Sequence, residues 1–119
     1  MDPINQAGYV ALQNFQIFSP TYYSRLVSIV QSSPLLAQEI NNYGASVGPI
    51  AIVSGTQMST EVPDPGSSTP LGQIQVGEDN INKAFGGGLG YSPLAFATGL
   101  AHELANSSQI ITDYGDRLR

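Results

Sequence analysis

The sequence contains no cysteine and a single histidine, His102. Without cysteine there is no disulfide framework, no thiolate nucleophile and no Cys-ligated zinc. Positive charge is also scarce: the chain has four basic residues and nine acidic ones, and its formal net charge is −5. The basic residues are Arg25, Lys83, Arg117 and Arg119. Nucleic-acid binders need a basic surface that neutralises phosphates, and membrane-surface helices need basic residues on their polar face. Composition therefore predicts neither a nucleic acid nor a membrane as partner.

Targeting signals and long apolar runs are missing as well. The first six residues have neither the basic start nor the apolar stretch of a signal peptide. No apolar run approaches the ~18 residues that cross a bilayer. We expect a soluble chain whose localisation stays open. Only 11% of the residues are charged, a composition commoner in exported or surface-active bacterial and phage proteins, and export would then use a route that cleaves no signal or a larger parent protein.

The chain has enough apolar residues for one small domain. Of 119 residues, 41% are hydrophobic, which supports a single core and not two. We interpret residues 1–119 as a single domain, or as a fragment of a larger one, with residues 1–8 as a loose polar tail. Three Ser-Pro pairs then predict helix starts, since serine caps a helix N-terminus and proline fits its first turn. The pairs are Ser19-Pro20, Ser33-Pro34 and Ser92-Pro93.

Apolar spacing predicts an α+β fold of three to four helices packed on a small, mostly antiparallel sheet. The two helices after the first Ser-Pro pairs, or one helix broken at Pro34, reach Gly44. A short helix covers 78–85, and the most secure helix covers 92–106 and ends at Gly115 at the latest. A strand is predicted for 9–18, with a helical turn as the alternative there, and further strands are predicted for 49–54 and 71–77 as a sheet edge or wide hairpin. Residues 56–70, rich in proline and glycine, are predicted to be a loop.

The helix over 92–106 carries the motif His102-Glu103-Leu104-Ala105-Asn106. In an HExxH helix, two histidines one turn apart bind zinc and the glutamate acts as general base on the metal-bound water. The segment resembles this motif in zincin metallopeptidases, especially the small effector and toxin peptidases of bacteria. The resemblance implies a peptide or protein substrate, zinc as cofactor, His102 as metal ligand and Glu103 as catalytic base. It also implies an edge strand before the motif helix that pairs with substrate, for which residues 73–76 are the candidate.

The sequence departs from the zincin pattern at Asn106, which stands where the second histidine belongs. A neutral amide oxygen is a poor zinc ligand beside imidazole or carboxylate. For a third ligand, the carboxylates available after the motif are Asp113 and Asp116. Asp113 lies eleven residues after His102, one position off the spacing used by families that take this ligand from a tight turn. The metal set implied is therefore His102, Asn106 and Asp113, and it is incomplete in one copy of the chain.

Three explanations stay open for the motif. The domain is a degenerate zincin, or a fragment or variant of an active peptidase, or an ordinary helix that matches by chance. We predict a zincin-like metallopeptidase domain of effector or toxin type that is inactive or incomplete as this chain stands, so its status as an enzyme stays open. The alternative is a non-catalytic structural or self-associating module, such as a virion, secretion-apparatus or assembly subunit. In that case Ala97, Ala101 and Ala105 would form a small-residue face for close pairing with another copy or with a parent protein.

Overall fold

A computed structural model describes residues 1–118, which form five helices and one three-stranded sheet. The α+β class predicted from the sequence is confirmed, with one helix more than expected. In chain order the elements are α1 (Gln6–Phe18), α2 (Pro20–Gln31), α3 (Pro34–Ser46), β1 (Ala51–Val53), β2 (Met58–Thr60), β3 (Ile74–Gly77), α4 (Glu78–Gly86) and α5 (Pro93–Arg117).

All three Ser-Pro pairs begin helices, as predicted. Each serine hydroxyl accepts a hydrogen bond from the backbone N–H three residues later, at 3.2 Å for Ser19, 3.2 Å for Ser33 and 3.0 Å for Ser92. The proline that follows lies in the first turn, where its missing N–H costs nothing. The starts of α2, α3 and α5 are therefore fixed by local chemistry.

The strand predicted over 9–18 is wrong, because this segment belongs to α1. Asn5 caps the helix by accepting a hydrogen bond from the backbone N–H of Gly8 at 3.0 Å. The buried residues of α1 recur at the helical spacing of three, one and three, and not at the spacing of two that a strand requires. They are Gly8, Ala11, Leu12 and Phe15.

The first residues of the chain, expected as a loose tail, pack against the helices. Ile4 is only 3% exposed and joins the core. The side chain of Asn41 on α3 accepts a hydrogen bond from the backbone N–H of Asn5 at 2.9 Å and donates one to the main-chain oxygen of Pro3 at 3.0 Å. These contacts hold the N-terminal segment against α3.

The sheet is mixed, and its strand order is β1-β3-β2. β1 lies parallel to β3, and β2 lies antiparallel to it. The predicted strands within 49–54 and 71–77 are therefore parallel neighbours, which excludes a hairpin between them. The expectation of an edge strand at 73–76 is also wrong, because β3 occupies the centre. The edge beside the motif helix is β2, which lies inside the segment predicted as a loop.

Helix α5 packs one side on the core and continues past its expected end. Phe96, Leu100 and Leu104 are buried, and the Phe96 ring meets Phe15 edge-on at a centroid distance of 6.1 Å. Gly115 does not end the helix, which runs to Arg117.

Ala97 is only 6% exposed, so it cannot join Ala105 in one open face for pairing with a second copy. Within residues 1–118, no helix combines the length and hydropathy that a membrane crossing requires.

Candidate functional site

The motif glutamate is held against the sheet by a threonine of β2. The Thr60 hydroxyl lies 2.7 Å from Glu103 Oε1 and 3.1 Å from the Glu103 main-chain oxygen, and it donates its single hydrogen to this pair of acceptors. One turn earlier on α5, a Cβ placed on Gly99 would lie 3.1 Å from Met58 Sδ. The side of α5 from Gly99 to Glu103 therefore lies directly against β2.

The outer edge of β2 carries open backbone groups. Residues 57, 59 and 61 face β3 as hydrogen-bonded partners. Hydrogen-bonded and non-hydrogen-bonded positions alternate in an antiparallel pair, so Met58 and Thr60 direct their N–H and C=O groups away from β3. No backbone hydrogen bond joins these groups to another part of residues 1–118. The strand next to Glu103 is therefore an unpaired edge.

The three residues assigned to zinc do not come together. His102 and Asn106 are exposed and lie one turn apart on the same side of α5. Asp113 follows on the same uninterrupted helix, so eleven residues of rise place it about 16 Å along the axis from His102. The Asp113 carboxylate accepts a hydrogen bond from Gln109 Nε2 at 2.9 Å.

These positions do not fit a zinc ion. Ligand atoms lie ~2 Å from zinc, so any two of them lie within about 4 Å of each other. Asp113 is far outside that reach of His102, because α5 does not turn back after the motif. Across residues 1–118, no three His, Cys, Asp or Glu side chains gather as a metal site would require. We therefore assign no metal-dependent step to these residues.

A concavity of about 600 Å³ lies between α3 and the second half of α5. Glu39 lines it, and burial raises the pKa of the Glu39 carboxyl. Tyr43 lines it too, and its hydroxyl accepts the backbone N–H of Ile74 at 2.8 Å. Burial raises the pKa of Tyr43, against the lowering effect of that hydrogen bond. Because the Tyr43 contact ties α3 to β3, this side chain serves the scaffold.

Thr60 is the residue of this site that sequence reasoning missed. It lies within 56–70, where proline and glycine predicted a loop. β2 is only three residues long, too short to show the alternation that identifies a strand. Its contact with Glu103 spans 43 residues of sequence, and no local pattern carries such a pairing.

Comparisons with protein-family models, with curated proteins and with solved structures find no match to this chain. The resemblance to zincins accordingly depends on the residues of α5 alone. The position of that helix against the open edge of β2 is the geometry from which a function can be proposed.

Proposed function

We propose that the chain is a zincin-like domain that binds an extended peptide along the free edge of β2 and has little or no peptidase activity as it stands. The observation that carries the proposal is the pair of contacts from Thr60 to Glu103, which put the motif glutamate beside an unpaired strand edge. The zincin resemblance implies an edge strand of this kind next to the motif helix. In this chain the strand is β2 and not residues 73–76.

Strand addition suits the exposed backbone groups of β2. An extended peptide can bond to the outward N–H and C=O groups of Met58 and Thr60, as peptides do at other sheet edges. His102 and Asn106 follow Gly99 and Glu103 by three positions, so they lie on the neighbouring strip of the α5 surface. A peptide on β2 would thus pass close to the motif residues.

Low activity follows from the ligand geometry. His102 offers one good zinc ligand, Asn106 offers a poor one and Asp113 is out of reach. A catalytic zinc site in proteins uses three protein ligands and leaves one position open, and this arrangement does not supply them. Peptide hydrolysis abolished both by a chelator and by Glu103→Ala would contradict this half of the proposal.

Amide hydrogen exchange tests the peptide-binding half. We expect the amides of Met58 and Thr60 to exchange fast in the free protein and to slow at least about tenfold with a saturating pool of short peptides, because strand addition bonds both N–H groups. Ser59, bonded to β3 in both states, is the internal control. Unchanged exchange of Met58 and Thr60 at millimolar peptide would overturn the proposal. Protection of these two amides that is present without peptide and increases with protein concentration would instead assign this edge to pairing between copies. That result would favour the self-associating module.

Restoring the second histidine tests the zincin half. We expect Asn106→His to bind zinc about 10-fold to 100-fold more tightly than the parent chain, because two imidazoles one turn apart share one face and Glu103 adds a nearby carboxylate. Calorimetric titration with zinc measures the change.

The matched control for this variant is the double substitution Gln13→His/Ile17→His on α1. These two residues are exposed and lie one turn apart. They provide the same histidine spacing without the strand edge and without the glutamate, because Asn14 follows the first of them. Equal zinc affinity in the two variants would show that the surroundings of His102 contribute nothing, and the zincin interpretation would then be abandoned.

A further inference from the structure

The turn between α4 and α5 displays three exposed apolar side chains, which we call the apolar tip. Leu89 is 100% exposed, Leu94 is 70% exposed and Tyr91 is 43% exposed. They fall within six residues of sequence, and Leu94 belongs to the first turn of α5. Soluble surfaces tolerate single exposed apolar residues, but a local group of them indicates a contact site.

Glycines shape the turn that carries the tip. Gly87 ends α4 in the left-handed conformation at φ 87°, and Gly90 has φ 79°. The backbone N–H of Tyr91 donates to the oxygen of Gly88 at 3.1 Å. Leu89 lies between these glycines with its side chain fully in solvent, so the tip is convex and does not line a pocket.

Two of the four basic residues of the chain flank the tip. Lys83 Nζ lies 5.4 Å from the centroid of the Tyr91 ring. Arg25 on α2 donates a hydrogen bond of 2.7 Å to the main-chain oxygen of Phe85, near the end of α4. Both cations are therefore held at the end of the molecule from which the tip projects.

Acidic residues are missing from the segments that build this end. Residues 3–38 and 80–102 contain no aspartate and no glutamate. Along α4 the nearest carboxylates are in its first turn, at the opposite end of the helix. A chain with a formal net charge of −5 thus has one end that is locally positive and apolar.

We propose that the apolar tip inserts into the interface of a membrane that contains anionic lipids, with Arg25 and Lys83 against the headgroups. A leucine-bearing convex turn needs a complementary pocket on a protein partner, whereas a fluid lipid interface needs none. Tyrosine and lysine suit this interface because each joins an apolar body to a polar end. Counting basic residues over the whole chain predicted no membrane partner. Attraction to anionic lipid, however, depends on the protein charges that lie close to the membrane surface. The proposal is independent of peptide binding at β2.

Vesicle co-sedimentation tests this assignment. We expect the chain to bind vesicles of phosphatidylcholine with phosphatidylserine at least about tenfold more strongly than vesicles of phosphatidylcholine alone, and raised salt to weaken that binding. The variant Leu89→Ser/Leu94→Ser is expected to lose roughly tenfold or more, because it removes the two side chains with the most apolar area to bury. Since both residues are exposed, a thermal melt should show that the variant stays folded.

A second double variant, Val62→Ser/Leu118→Ser, is the matched control. These residues are 67% and 71% exposed, Val62 follows β2, and Leu118 lies at the end of α5 opposite to Leu94. Their replacement should leave vesicle binding unchanged. Equal loss in both double variants, or no preference of the parent for anionic vesicles, would overturn the proposal. Self-association of the parent that the tip variant loses, without vesicle binding, would assign the tip to a protein contact and overturn it as well.

Discussion

Replacing Gly44 by alanine is expected to lower the free energy of unfolding by about 3 kcal/mol. Helices α1 and α3 cross closely at this position, and a Cβ on Gly44 would overlap the main-chain oxygen of Ala7. Backbone cannot move aside as the end of a flexible side chain can, so one of the helices has to shift. For a domain of this size the loss is a large share of the total stability.

Gly115→Ala is the control for Gly44→Ala. Gly115 also lies inside a helix, but a Cβ there would meet nothing within 4 Å. Alanine favours helix over glycine by about 1 kcal/mol, so this variant should be as stable as the parent or more so. Urea unfolding followed by circular dichroism measures both changes. A similar small shift for the two variants would mean that α1 and α3 are not in backbone contact at Gly44.

Asn41→Ala is expected to cost about 2–3 kcal/mol. The Asn41 side chain is 8% exposed and bonds to two backbone groups of the N-terminal segment, the N–H of Asn5 and the oxygen of Pro3. Alanine can replace neither contact, and both backbone groups would lose their partner in a part-buried setting. The larger part of the cost is this unmet hydrogen bonding and not the lost attraction itself.

The neighbouring residue supplies the comparison for Asn41. Asn42 is exposed, and its side chain accepts only from Gln38 at 3.0 Å. Asn42→Ala should change stability by no more than about 0.5 kcal/mol. Equal melting temperatures for the two alanine variants would show that residues 3–5 are not fixed to α3. Limited proteolysis offers a second measure, because Asn41→Ala should expose the N-terminal segment to cleavage.

Local chemistry accounts for the parts of the fold that the sequence could predict. The serine hydroxyls at positions 19, 33 and 92 each accept a hydrogen bond from the backbone N–H three residues later. Each helix start therefore depends only on residues that are close in sequence. Helix α1 was missed because its buried face includes Gly8 and Ala11. Such small residues carry a weak apolar signal, and their burial depends on α3, which lies elsewhere in the sequence.

The candidate site also has one part that local sequence predicts and one part that depends on distant residues. Placing His102 and Glu103 on a helix required only the Ser92-Pro93 cap and the apolar spacing behind it. The partner of Glu103 is a threonine on a three-residue strand, and the position of Asp113 depends on whether α5 turns back after the motif. Gly115 suggested an end to the helix, but glycine adopts helical backbone angles readily. These two facts are non-local, and together they decide what the motif can do.

The order of strands in the sheet also constrains how the chain folds. Within residues 1–118, β3 is the third strand in chain order, yet it is the strand to which both others bond. Until residues 74–77 have emerged, β1 and β2 have no partner in the chain, while α1 to α3 are already complete and adjacent in sequence. Local helix contacts form faster than distant strand pairing. We therefore expect folding to begin in the helical half and the sheet to form late around β3, and we expect a nascent chain stalled before Ile74 to expose two unpaired strands that favour aggregation.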